Sequence, residues 1–275
     1  MNQWVVVTGC SSGIGRACLG PIKQAGYQVI ATCRKTLDVE ALQAEGFTCL
    51  QLDLDDPHSI AICAEEIATL TEGRLYGLFN NAAYGQPGAI EDLPVAALKA
   101  QFNSNLFGWH DLTTRLLPLM HSNGQGRIVQ NSSVLGFAAM KYRGAYNASK
   151  FALEGYTDTL RLELSDTNIR VSLIEPGPID TRFRANALAA FLCWISPENS
   201  RHAREYRSQI LRLEKEQSGS RFVLPASACV APVLHALSNK KPRHRYRITT
   251  PTKVFAILKR LLPTRWLDAI LSRAA

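Results

Sequence analysis

No run in this sequence reaches the roughly 18 consecutive apolar residues of a membrane-spanning helix, although 46% of its 275 residues are hydrophobic. Low-complexity tracts are also missing, and charged residues make up 20%, so a disordered chain is not expected. The cysteines (Cys10, Cys18, Cys33, Cys49, Cys63, Cys193 and Cys229) are odd in number and contain no C-x-x-C pair. That removes the zinc-ribbon reading and any framework of paired bridges. No basic and then apolar leader precedes the first strand-like run, because Met1 leads almost directly into Trp4–Val7. The expectation is a reducing, cytoplasmic setting, with cysteines packed as small hydrophobes and no metal bound. A formal charge of +8 admits a phosphorylated ligand, an anionic lipid surface or nucleic acid. No nucleic-acid recognition motif accompanies the charge, so a nucleic-acid partner is not expected.

What is present is an alternation. Short β-branched runs at 3–8, 28–32, 48–52, 77–80, 127–131 and 170–174 are separated by helix-like stretches at 14–25, 37–45, 57–70, 94–121 and 145–164. Strand–helix alternation implies parallel strands with helices on both faces, and right-handed crossovers then wind the sheet in two directions. After Pro176 the rhythm changes. Residues 185–195 are almost wholly apolar, and 196–217 carry Ala203, Tyr206, Ile210 and Leu213 at helical spacing. A helix at 225–237, a strand at 245–249 and two helical pieces split by Pro263 complete the chain. The fold expected is a single α/β domain over 1–275: a doubly wound parallel sheet of about seven strands, a helical insertion at about 182–224 and a C-terminal helical extension at about 251–275.

The first strand closes in Thr8-Gly9-Cys10-Ser11-Ser12-Gly13-Ile14-Gly15. Glycines at a strand-to-helix turn let a pyrophosphate approach the backbone, and the helix N-terminus offers it free N–H groups. The second strand ends Cys33-Arg34-Lys35. A site for NAD wants a carboxylate there for the ribose hydroxyls; Cys33 stands in its place and Arg34 follows, a guanidinium suited to a 2′-phosphate. The cofactor expected is NADP(H). Tyr146 and Lys150 lie four apart in Tyr146-Asn147-Ala148-Ser149-Lys150, hence on one face of a helix. A phenol with a pKa near 10 becomes a useful acid–base only beside a cation. Asn131-Ser132-Ser133 closes the fifth strand, at the carboxyl end where open α/β sheets bind ligands.

This glycine turn, T-G-x-x-x-G-I-G, resembles that of the short-chain dehydrogenases/reductases at every fixed position, and the later motifs follow in family order from residue 3 to about 181. The resemblance implies a Rossmann-type fold and a metal-free Ser-Tyr-Lys mechanism. It gives Gly9, Ser11, Ser12, Gly13, Ile14 and Gly15 to the cofactor, with Asp53 at the adenine and Asn81 in Asn80-Asn81-Ala82-Ala83, where Ala83 replaces the family's glycine. Pro176, Gly177, Ile179 and Thr181 would hold the nicotinamide. Ser133, thirteen positions before Tyr146, would bind the substrate oxygen, with Ser132 the neighbouring alternative. Asn105 would hold a water linking Lys150 to solvent. Substrate contacts would fall at Tyr84, Leu135, Tyr142 and the segment after Pro176.

The branch most similar contains retinol and hydroxysteroid dehydrogenases and bacterial NADP-dependent aldehyde-reductase relatives. With Phe183, Leu188, Phe191, Leu192, Trp194 and Ile195 supplying an apolar cover, the expectation is interconversion of a lipophilic aldehyde or ketone with its alcohol. The rivals are a non-catalytic NADP(H)-binding sensor or scaffold and a reductase of a carrier-bound acyl ketone. The resemblance implies a homodimer or homotetramer. The basic, apolar C-terminal pieces allow peripheral membrane contact as well as docking on the fold.

Overall fold

Strand β1 (Trp4–Val7) is three valines behind a tryptophan, β-branched side chains that suit a strand covered on both faces. Val5, Val6 and Val7 are wholly buried. Their alternation sends Val5 and Val7 into one core and Val6 into the other. The computed structural model describes residues 3–215 and 222–273. β1 pairs in parallel with β2 (Gln28–Cys33) on one side and β4 (Gly77–Asn80) on the other. β3 (Thr48–Gln51) extends the first side; β5 (Gly126–Asn131), β6 (Ile169–Glu175) and β9 (Arg245–Arg247) extend the second. The seven-stranded order is β3-β2-β1-β4-β5-β6-β9, parallel throughout. Strand order therefore reverses between β1 and β4, where the carboxyl ends of the strands leave a crevice.

Helices α1 (Gly13–Gln24), α2 (Thr36–Ala44) and α9 (Val230–Ser238) cover one face. Helices α3 (Pro57–Leu70), α5 (Gly108–Ser122) and α6 (Gly144–Glu163) cover the other around fully buried Trp109. Local chemistry fixes the helix starts. Asp56 caps α3 by accepting the His58 N–H at 2.9 Å, with Pro57 in the first turn.

The expected helix over 94–121 is in fact three pieces: α4 (Val95–Phe102), a π-helical turn at Asn103–Phe107, and α5. The break sits where the helix presses on the loop after β3. A Cβ at Gly108 would stand 2.1 Å from the Leu54 carbonyl oxygen. Beyond β6 the chain forms β7 (Ile179–Asp180), α7 (Phe183–Trp194) and α8 (Ala203–Glu214). β8 (Leu224–Pro225) then pairs with β7. This two-stranded tie was not foreseen, because two residues carry no periodicity. The amphipathic helix expected at 196–217 begins later, at Ala203, since Pro197–Asn199 form a 3-10 turn. Its last positions, 216 and 217, lie outside the described residues, as do 216–221 of the expected insertion and 274–275 of the extension. α10 (Thr250–Leu261) and α11 (Thr264–Leu271) follow, split at Pro263 as expected. Among the described residues, no helix is long and apolar enough to cross a membrane.

Candidate active site

Every sheet strand from β1 to β6 delivers a site residue just past its carboxyl end, and together they line one cleft of about 1000 Å³. Gly9 follows β1, Arg34 follows β2, Asp53 follows β3, Asn81 follows β4, Ser133 follows β5 and Pro176 follows β6.

Backbone contact dictates the glycine turn. Gly9 has φ +71°, and a Cβ there would lie 2.7 Å from the Ala82 Cα. A Cβ on Gly15 would lie 2.5 Å from the Gly9 carbonyl oxygen. The turn is held from beneath by Thr8, whose Oγ1 accepts the Asn81 and Ala82 N–H groups at 2.8 and 3.0 Å. Asn81 returns a bond from Nδ2 to the Thr8 carbonyl at 2.9 Å, and Asn131 Nδ2 donates to Asn81 Oδ1 at 2.9 Å. No side chain caps the N-terminus of α1 at Ser12, so its N–H groups remain available to an anion. Ser11, Ser12, Gly13 and Ile14 line the same end of the cleft. Gly13 abuts Thr181, with 3.1 Å between a built Cβ and the threonine methyl. Ala83, in the place of the family's glycine, packs against the core under α5.

Asp53 Oδ1 accepts the Asp55 N–H at 3.1 Å and steadies the turn after β3. Arg34 is exposed at the cleft's edge, and Cys33 beside it is buried. Across the cleft, Gly177 presses on α10's first turn: a Cβ would meet the Thr249 hydroxyl at 2.1 Å. Ile179 and Thr181 also face the cleft.

Helix α6 carries Tyr146 and Lys150 on its buried face, as the spacing requires. Lys150 is 1% exposed, and its Nζ donates to the Asn131 carbonyl at 2.6 Å while lying 4.5 Å from the Trp109 ring centroid. Burial pushes its pKa down to about 7, partly offset by the carboxylate of Glu154. Burial pushes the Tyr146 phenol up to about 12, while the Ser133 hydroxyl bonded to it and the nearby Arg143 guanidinium pull the other way. The two serines separate cleanly. Ser132 turns under α6 to donate to Glu154 Oε1, whereas Ser133 lines the cleft and caps the short turn at Leu135. Ser133 is thus the serine that faces Tyr146.

Asn105 lies in the π-helical turn, wholly buried. It binds Tyr84 twice, Nδ2 to the carbonyl at 2.9 Å and Oδ1 from the N–H at 3.2 Å, and its Nδ2 donates to Ser149 Oγ at 3.4 Å. Bulges of this kind concentrate at functional sites because they re-aim one side chain into an otherwise regular wall. Of the residues expected at the substrate, Tyr84 and Leu135 line the cleft. Tyr142 does not. At φ +61° its ring stacks edge-on to His202 and Tyr206, and its hydroxyl lies 3.4 Å from His202 Nδ1. Tyr142 thus braces α8 from outside the cleft's lining.

Four side chains escaped the sequence reading. Glu154 stands one turn beyond Lys150, where the same-face rule could have found it. Arg143, Arg184 and Arg212 line the cleft from three separate segments, so no local spacing announces them.

The family model described as short chain dehydrogenase matches residues 3–190. The chain belongs to that family. This short-chain dehydrogenase is 44% identical over 271 residues to the uncharacterized oxidoreductase YbbO of Escherichia coli K12, covering 98% of this chain and 94% of that one. It is 40% identical over 195 residues to human retinol dehydrogenase 8, covering 67% and 61% respectively. Among solved structures, a short-chain dehydrogenase from Streptomyces avermitilis superposes with a TM-score of 0.78 at 28% identity, covering 98% and 94%. A Burkholderia cenocepacia short chain dehydrogenase in complex with NADP superposes at 0.76 with 21% identity, covering 98% and 97%, a likeness of fold. The chain is accordingly an oxidoreductase of a family that uses a nicotinamide cofactor.

Proposed function

We propose that this short-chain dehydrogenase is NADP(H)-dependent and interconverts a lipophilic aldehyde or ketone with its alcohol. The observation that carries the reading is the convergence of Ser133, Tyr146 and Lys150 on one wall of the cleft whose other end is the glycine turn. The residues fit the cofactor. The turn at Gly9 and Gly15 leaves no room for a Cβ, α1 opens uncapped, and the buried Asn131 Oδ1 in the cleft lacks a partner among the described residues. Gly9, Ser11, Ser12, Gly13, Ile14 and Gly15 would hold the pyrophosphate, Asp53 and Asn81 the adenosine side, and Pro176, Gly177, Ile179 and Thr181 the nicotinamide. Arg34, exposed beside a buried cysteine in place of an acid, favours the 2′-phosphate. When bound, the nicotinamide supplies or accepts the hydride.

The chain's own residues handle the proton. Ser133 and Tyr146 donate hydrogen bonds to the carbonyl oxygen, stabilising the charge that develops there. Tyr146, protonated at neutral pH in its buried setting, gives up its phenolic proton to that oxygen. Lys150, fixed against the Asn131 carbonyl, orients the cofactor ribose and lowers the cost of the phenolate. Asn105, anchored through Tyr84, holds open the route by which water returns the proton. Leu135, Tyr84, Phe183 and Trp194 give the carbonyl's substituent an apolar wall.

The test is loss of nicotinamide absorbance with NADPH or NADH against a ladder of short to long aldehydes, a retinoid and a ketosteroid. Turnover with NADPH that rises with chain length is expected. No turnover on any of them, with NADPH tightly bound, would return the protein to the sensor reading.

A further inference from the structure

The cleft is unevenly charged. Among the described residues, seven cationic side chains line it, Arg34, Lys150, Arg143, Arg182, Arg184, Arg212 and Lys215, against one carboxylate, Asp53, at the adenosine end. Arg34 and Lys150 have uses in the cofactor site. The others crowd the opposite end, and three of them are half-buried: Arg143 beside Tyr146, Arg184 on α7 and Arg212 on α8. The three share one space. Arg212 and Arg184 both disfavour the charge on Arg143, which burial and this repulsion lower to about 10, and Arg184 does the same to Arg212.

None of the three makes an ion pair among the described residues. Arg143 Nη1 reaches only the Met140 sulfur at 3.5 Å, and Arg212 is held by the neutral Gln209 Oε1 at 2.9 Å. Other arginines of the protein do find carboxylates. Arg245 meets Glu154, Asp158 and Glu175, and Arg201 meets Glu91. On the same α8 helix, Arg204 and Arg207 stay exposed, the ordinary place for a surplus cation. Like charges drawn together away from water oppose folding unless an anion joins them, and guanidinium forks are shaped for an oxyanion. The walls next to them, Phe183, Trp194 and Leu213, are apolar.

We propose that Arg143, Arg184 and Arg212 form a subsite for an anionic group, carboxylate or phosphate, on the carbonyl substrate. The substrate is then an anionic amphiphile: its carbonyl at Tyr146, its apolar part along α7, and its charge on the three guanidiniums. The proposal rests on the reductase reading for the identity of the ligand as substrate, but the subsite can be tested without turnover.

The experiment titrates the NADPH complex of the whole protein with decanoate, decyl phosphate and decanol, read by calorimetry. Both anions, or one of them, should bind at least tenfold tighter than decanol, and the tighter of the two names the oxyanion. In Arg212→Gln and Arg184→Gln the anion's advantage should shrink toward that of decanol, with circular dichroism confirming the fold. Equal affinity for decanol and both anions would overturn the proposal. So would anion binding that displaces NADPH, because the arginines would then serve the cofactor's phosphates. Turnover of ω-oxo acids against methyl-ended aldehydes of equal length, run in parallel, tests the reductase reading. Anion binding with no turnover sinks that reading and leaves the subsite standing.

Discussion

The two ends of the cleft are built on different principles. At the cofactor end the backbone makes the site: Gly9 and Gly15 are there because a Cβ would strike Ala82 or the Gly9 carbonyl, and Thr8 pins the loop through main-chain bonds. At the end proposed for the substrate side chains make the site, on helices α7 and α8. Those helices are tied down by Tyr206, whose hydroxyl donates to Asp92 and accepts the Ala89 N–H at 2.8 Å, and by Glu91 with Arg201 and His202. A site made of backbone tolerates few residues and stays the same; a site made of side chains on a separately anchored layer can be rewritten.

Substitutions put that contrast to the test. The largest effect is expected where the two ends meet. Tyr146→Phe should lower kcat by about a thousandfold while NADPH binding, followed by fluorescence, changes little; near wild-type turnover would remove the tyrosine from the chemistry. Lys150→Met should lose activity on a similar scale and, unusually, gain stability. The lysine's folded pKa, about 7, lies below its ordinary 10.5. The unfolded chain therefore binds more protons between those values, so wild-type stability rises with pH across that window and the charged lysine opposes folding most below it. The gain in Tm should accordingly be larger at pH of about 6 than at about 10; equal shifts would show that folding does not lower the pKa of Lys150.

Gly15→Ala tests the backbone-made end directly. The added methyl meets a carbonyl oxygen that cannot move without opening the turn, and cofactor affinity should fall on the order of a hundredfold. If affinity survives, the cofactor end is more plastic than its contacts imply. Arg34→Ser should cut the preference for NADPH over NADH by about tenfold, the worth of one charge-assisted contact, as measured by kcat/KM with each cofactor. The smallest effect is expected at the anchored layer. Tyr206→Phe keeps the ring and removes the Asp92 and Ala89 bonds, so it should cost about 1–2 kcal/mol in thermal melts and raise KM a few-fold. A large drop in kcat instead would mean that α8 positions the reacting groups rather than the substrate.

The same contrast governs what the sequence disclosed. The sheet and the cofactor-side motifs were readable because each is local: a strand, a turn and a helix start in consecutive residues. Tyr146 and Lys150 were readable because helical spacing puts them on one face. Asn105 was visible by motif, but the π-helical turn that aims it was not, since the hydropathy of 94–121 runs on through it. The turn ends at Gly108, which packs on Leu54, far away in the chain. Ser133 was preferred to Ser132 on its spacing from Tyr146, but the bond that occupies Ser132 was hidden, since only the packed α6 brings Glu154 beneath the strand. The turn of the Tyr142 ring toward α8 was not readable, because it follows a left-handed backbone at φ +61°. Arg143, Arg184 and Arg212 meet only in three dimensions, so no window of sequence contains them.

The packing behind the site comes partly from far downstream. Leu271 of α11, with Leu267 and with Phe255 of α10, packs into the same cluster as Leu135 and Tyr146. These residues lie past position 190, beyond the stretch that the family model matches. The helix that carries Tyr146 is thus backed by a part of the chain outside the family's shared stretch. A tail grafted from a relative would change the packing behind Tyr146 and Leu135 without altering a residue of α6. Relatives that share the first two thirds of this sequence can therefore differ in what holds the equivalent tyrosine in place.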